Sequence, residues 1–241
     1  MNIKLNHRVS LLWLTLFAIS MGFLESAVVI YLREILYPSG FKFPLVPISN
    51  KLALAELLRE AATLFMLMSV GWLSGRTKFE KFTLFLYSFA IWDIFYYVFL
   101  KLLINWPESL LSWDILFLIP VTWTGPVIAP VISSLSMIVL AMLSVLFINL
   151  GRSVYLNSAE WVILVGGAIF QLFSFIWDYS KYVLHFYSLK ELWNIHIDKA
   201  LYSLSIHYVP VAFNWSLFLL GETLILTSIF LFSRRNYRRE N

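Results

Sequence analysis

Six stretches of this 241-residue chain each hold about the twenty mostly apolar residues that a helix needs to cross a hydrocarbon core of roughly 30 Å. They cover 10–32, 53–74, 82–103, 127–149, 160–178 and 209–232. A soluble domain of this size carries about 25% charged and roughly 45–50% apolar residues. Here 13% are charged, 60% are hydrophobic and the mean hydropathy is +0.79. Too little polar surface remains to wrap a water-soluble globule, which excludes a soluble enzyme and a disordered chain. The absence of cysteine removes a disulfide-stapled secreted domain, thiolate catalysis, iron–sulfur clusters and Cys-ligated zinc. The expected fold class is an all-α polytopic membrane protein, one integral-membrane domain over 1–241.

Basic residues set the expected orientation. With both termini inside, the cytoplasmic side collects Lys4, Arg8, Arg76, Lys78, Lys81, Arg152, Arg234, Arg235, Arg238 and Arg239, against the acids Glu80, Glu160 and Glu240. That is ten of the 18 bases but three of the 14 acids, the positive-inside bias. The expectation is a bacterial-type inner (plasma) membrane with cytoplasmic N- and C-termini. The basic tail, directly after an apolar span, fits anionic lipid rather than nucleic acid. Lys4 and Arg8 before an apolar run resemble a signal peptide, yet the run continues to Tyr31 with no A-x-A-like cleavage site, so it reads as an uncleaved first helix.

Two external segments are more than linkers. The apolar stretch 109–119 is too short to span and is expected to form an interfacial or re-entrant helix ended by Pro120. Trp106, Trp113 and Trp123 fit an aromatic belt around it. Residues 189–208 follow the capping-box pattern Ser188-x-x-Glu191 and repeat apolar side chains at helical spacing, which describes a helix lying flat on the outer surface with His196 on its apolar side. A short echo, Ile91-Trp-Asp-x-x-x-Tyr-Val98 and Ile176-Trp-Asp-x-x-x-Tyr-Val183, lacks the length of a transporter repeat.

Ionisable residues inside the spans cost about 2.5–3.5 kcal/mol each on insertion scales, so each needs a reason. At 1.5 Å per residue, Glu25 lies about 10 Å below the outer face and Arg59 and Glu60 roughly 9–11 Å, with Asp93 about 15 Å and Glu222 about 20 Å down. Glu56, Arg59, Glu60 and Thr63 share one helical face, and Asp93 shares another with Tyr96 and Tyr97. Glu25 flanks the small-residue stripe Ala18, Gly22, Ser26, where helix 1 should meet a neighbour. Ser133, Ser134 and Ser136 with Gly166 and Gly167 should let helices 4 and 5 pack closely. Five carboxylates (Glu25, Glu56, Glu60, Asp93, Glu222) face Arg59 as the one cation at comparable depth. A net −4 in low dielectric is untenable. The site must hold protons, bind a cationic ligand or open to water from outside.

The residues expected to carry chemistry are Asp93 and Glu222 as proton or cation carriers or as an acid–base pair. Glu25, Arg59, Glu60, Tyr96, Tyr97 and His196 are expected to bind the ligand. His185, His196 and His207 recur every 11 residues, about 16 Å on one helix, too far apart to share a metal ion. No H-E-x-x-H, glycine-rich phosphate loop or G-x-S-x-G occurs, so neither metal nor cofactor is expected. The leading expectation is an externally accessible carboxylate–Arg site of a small proton- or cation-coupled transporter. The alternatives are a membrane-embedded enzyme acting on a lipid or isoprenoid by carboxyl acid–base catalysis and, second, a non-catalytic subunit of a membrane complex. The expected partners are membrane lipids, a lipid-like or cationic small molecule, and a second copy or another membrane subunit, with no nucleic acid.

Overall fold

The computed structural model describes residues 7–119, 121–188 and 207–238. The expected flat helix over 189–208, with His196, falls almost wholly outside them. The chain is predominantly helical: α1 (His7–Leu36), α2 (Asn50–Ser74), α3 (Lys78–Ile104), α4 (Ile128–Asn149), α5 (Ser158–Phe186) and α6 (Trp215–Tyr237). Five of these, all but α2, are long and apolar enough to cross a membrane. α2 has the length, but Lys51, Glu56, Arg59 and Glu60 interrupt its apolar character. Large apolar side chains stand open on the helix exteriors, among them Leu12 at 57%, Val162 at 72% and Leu73 at 81% exposure. Such a surface is suited to lipid, not to water.

Polar caps set the helix ends. Thr77 and Glu80 form a reciprocal capping box at α3, as Asn157 and Glu160 do at α5. Ser49 and Asn214 accept backbone N–H bonds at the starts of α2 and α6. α1 and α2 both pack on α3, α3 packs on α4, α4 on α6 and α6 on α5. The helices therefore form a row with α5 at one end and the α1–α2 pair, packed together on α3, at the other. The α1 stripe meets α3 as its small residues imply: a Cβ on Gly22 would lie 3.0 Å from the Trp92 carbonyl. The small face of α5, expected to meet α4, packs on α6 instead, through Gly167 against Gly221. Gly166 faces open space. At the end of the bundle holding both termini, Arg235 of α6 grips Glu160 of α5 at 2.8 Å.

Residues 109–119 do not form the expected helix. Trp113–Phe117 is a strand, β1, paired antiparallel with β2 (Trp123–Pro126), with an irregularity between Ile115 and Phe117. Trp113, Ile115, Phe117, Val121, Thr122, Trp123 and Thr124 are aromatic or β-branched residues that favour a pleated surface. β1 ends at Phe117, so no helix runs through this segment to the expected stop at Pro120. The hairpin dips among the helices: Phe117 stacks on Phe89 at 6.1 Å, and Phe89 lies about 20 Å from the Ile104 end of α3. Non-helical backbone at such depth is tolerated only when buried in protein with its polar groups satisfied. Leu118, just past the ladder, donates its N–H to both carboxylate oxygens of Glu60, at 2.9 and 3.1 Å.

Candidate functional site

A cavity of about 770 Å³ lies between α1, the α1–α2 connection, α2, α3, α5 and the hairpin. On α1, Glu25, Val29 and Arg33 are spaced i, i+4, i+8 and so line one face toward it. α2 contributes Glu56, Arg59, Glu60 and Thr63; α3 contributes Trp92, Asp93, Tyr96 and Tyr97. Asp114 comes from β1, and Tyr179, Val183 and Leu184 come from α5. Leu32, Leu36, Leu57, Ile115 and Leu118 make much of the remaining wall apolar.

Two guanidiniums organise the carboxyls. Arg59 bonds Glu56 through Nε at 2.9 Å and Nη2 at 2.8 Å, and bonds Glu25 through Nη1. Thr63 donates to the second Glu25 oxygen at 3.2 Å. Arg33 bonds Asp114 at 3.1 Å, with its guanidinium 3.7 Å from the Trp106 ring and 4.4 Å from the Phe41 ring. Burial pushes the Asp114 carboxyl up from its ordinary range, while Arg33, the Ile115 backbone and the Tyr97 and Tyr96 side chains pull it down.

Three of the five carboxyls lining the cavity thus have a guanidinium partner. Glu60 and Asp93 have none among the described residues. Asp93 is 8% exposed and accepts one bond, from Ser134 of α4 to Oδ2 at 2.8 Å. Its Oδ1 takes no hydrogen bond among the described residues. With every group ionised, five carboxylates and two guanidiniums give the cavity wall a formal charge of −3.

Of the residues expected from sequence, Glu25, Arg59, Glu60, Asp93, Tyr96 and Tyr97 line this one cavity. Glu222 is not among its lining residues. It lies in a separate cluster, accepting from Ser136 and, at 2.6 Å, from Gln171, whose own oxygen accepts from Ser133 at 3.2 Å. Ser134 and Ser136 are two positions apart on α4 and so point to different faces, one to Asp93 and the other to Glu222. A Glu222→Gln change turns one acceptor oxygen into a donor inside this closed network. It is expected to lower stability by about 1–3 kcal/mol, read as a fall in Tm in detergent.

Arg33 and Asp114 escaped the sequence reading. Arg33 lies one residue past the expected end of helix 1, so Arg59 is not the one cation at this depth. The signal was there in its i+8 spacing from Glu25. Asp114 was hidden by the helical expectation for its segment. The two halves of the sequence echo also diverge: Asp178 accepts from Tyr208 at 2.7 Å and from the Val211 backbone at 3.0 Å, whereas Asp93 faces the cavity. Among the described residues, no group of three or more His, Asp or Glu is placed to hold a metal ion.

No family model, curated protein or solved structure matches this chain.

Proposed function

We propose that the chain is a multi-pass protein of a bacterial-type inner membrane, with α2 as a sixth span and cytoplasmic termini. Its outward-facing cavity binds a lipid-like amphiphile and carries out acid–base chemistry on the head of that molecule. The observation that carries this reading is the convergence, on one largely apolar cavity, of two carboxyls without a guanidinium partner and two organised Arg–carboxylate clusters. The volume lies within the roughly 300–1,000 Å³ of pockets that enclose drug-sized ligands. Asp93 is the general acid or base, with Glu60 as the second proton-handling group; Arg59 holds Glu25 and Glu56 in place around them. Carboxyls in such a site can give and take protons while apolar walls exclude water.

A proton- or cation-coupled carrier is the second reading, favoured by the formal charge of −3. Against it, Ala18, Met21, Leu67 and Trp92 pack together with Phe85 and Phe89 between the cavity and the terminal end of the bundle. That layer supports a pocket open on one side, and no break interrupts the helices that carry Glu60 and Asp93.

Mass spectrometry of small molecules that co-purify with the protein tests the proposal. The wild type is expected to carry an amphiphile that it converts on incubation. Asp93→Asn and Glu60→Gln are expected to slow that conversion by about 10²–10⁴-fold. Wild-type rates in both variants would overturn the acid–base assignment, and proton flux in proteoliposomes abolished by Asp93→Asn would move the choice to the carrier.

A further inference from the structure

The cavity's flanks and its free carboxylate oxygen together identify how a ligand arrives and what head it carries. α2 packs on α1 and α3, and α5 packs on α6 and β2. α2 and α5, at opposite ends of the helix row, share no extensive interface among the described residues. The α1–α2 connection reaches across through Phe43, packed against the cluster that holds Tyr179 and Val183, and all three contribute to the cavity wall. α2 supplies Ala53 and Leu57, and α5 supplies Ser180 and Leu184. Leu57 is 37% exposed and Leu184 is 46% exposed, so this flank of the cavity has an apolar rim at the bundle surface. Leu57 lies about 10 Å along α2 from Asn50, at hydrocarbon depth if α2 spans.

Behind this rim stands Asp93, nine-tenths buried, which lines the cavity and whose Oδ1 is unbonded among the described residues. Glu60, on α2, also lines the cavity and has no guanidinium partner among the described residues. The formal −3 of the lining disfavours an anionic head and favours a positive one. We infer that the ligand is a single long-chain amphiphile with a basic amine head, which enters sideways from the bilayer between α2 and α5 and places its ammonium against Asp93 Oδ1 and Glu60. This rests on the proposed amphiphile site and adds to it the head charge and the lateral route.

The test uses the full chain in phosphatidylcholine vesicles with hexadecylamine carrying a diazirine midway along its chain. The hexadecanol and hexadecanoic acid equivalents serve as comparators. Photolysis and peptide mapping should place amine adducts on 53–63 of α2 and 179–184 of α5. The adducts should fall roughly thirtyfold or more in Asp93→Asn, the effect of losing one partner of a buried charge pair. Leu57→Trp and Leu184→Trp narrow the rim and leave both carboxyls in place, so each should lower labelling while the protein stays folded. Equal labelling of the same peptides by the acid or the alcohol would overturn the head charge and leave the amphiphile site standing. Amine labelling spread evenly over the lipid-facing helix exteriors, or unchanged in both tryptophan variants, would overturn the lateral route. Because the chain has no cysteine, one placed at Leu57 or Leu184 gives a unique thiol for repeating the blockade with a bulky maleimide.

Discussion

Arg33→Met is expected to cost about 3–5 kcal/mol of stability at pH values where Asp114 is charged, because it strands a carboxylate in the protein interior. The Arg33 side chain is 10% exposed and that of its partner Asp114 3%. Methionine keeps the apolar stem between Phe41 and Trp106 but removes the charge, the hydrogen bond and the attraction to both rings. The pH dependence has a definite sign. The Asp114 carboxyl already titrates above its ordinary range, since burial outweighs Arg33 and the other groups that stabilise its charge. A carboxyl with a raised folded-state pKa binds its proton more tightly in the folded chain, so its contribution to stability falls as pH rises through that range. Removing Arg33 pushes the pKa higher still. The penalty of the variant is therefore fully present where Asp114 is charged and shrinks as the pH falls low enough to protonate it. Thermal unfolding in detergent at several pH values reads this directly. Arg33→Met with Asp114→Asn should recover most of the loss at those pH values where Asp114 is charged, since the double variant leaves no buried charge. A double variant no more stable than Arg33→Met would show that the rings, not the ion pair, hold the hairpin to α1.

That ion pair also marks the limits of what the sequence discloses. Long apolar runs gave the five helices apolar enough to cross a membrane, because a span must satisfy its backbone internally and the run length follows from bilayer thickness. α2 forms as a helix too, but its charged face keeps it below that apolar measure. The faces of α2 and α3 were legible too: i, i+3, i+4 spacing collects Glu56, Arg59 and Glu60, and the structure sets that face and Asp93 on one cavity. The hairpin was not legible. The apolar run from Leu110 to Ile119 fits a buried strand as well as a helix segment, and nothing local shows that the Leu118 N–H will find Glu60, 58 residues away. Glu222 was grouped with Asp93 because depth is readable from sequence while the partner across a helix interface is not. Ser136 and Gln171 decide where its carboxylate points. His196 and the segment around it lie outside the described residues.

The contact of α5 with α6 decides whether the fifth wall of the cavity stays in place, and two adjacent glycines allow a test with an internal control. A Cβ at Gly221 would sit 2.7 Å from the Gly167 carbonyl oxygen and 2.9 Å from the Gln171 backbone nitrogen; one at Gly167 would sit 2.7 Å from the Gly221 carbonyl oxygen. Both obstacles are backbone, so no side-chain rotation relieves them. Gly221→Val or Gly167→Val must force the helices apart, and overpacking at a backbone–backbone contact is expected to cost about 3 kcal/mol or more. Gly166→Val, one residue away, adds its side chain to open space and should leave Tm nearly unchanged apart from a small helix-propensity term. The displacement does not stop at the interface. Gln171, one helical turn beyond Gly167, is the Glu222 partner, and Tyr179 and Leu184 further along α5 line the cavity. Separating the helices should therefore also reduce amine labelling of 179–184, whereas Gly166→Val should leave it at the wild-type level. Equal Tm values for Val at 166, 167 and 221 would mean that α5 and α6 do not approach this closely, and the cavity would then lack a fixed fifth wall.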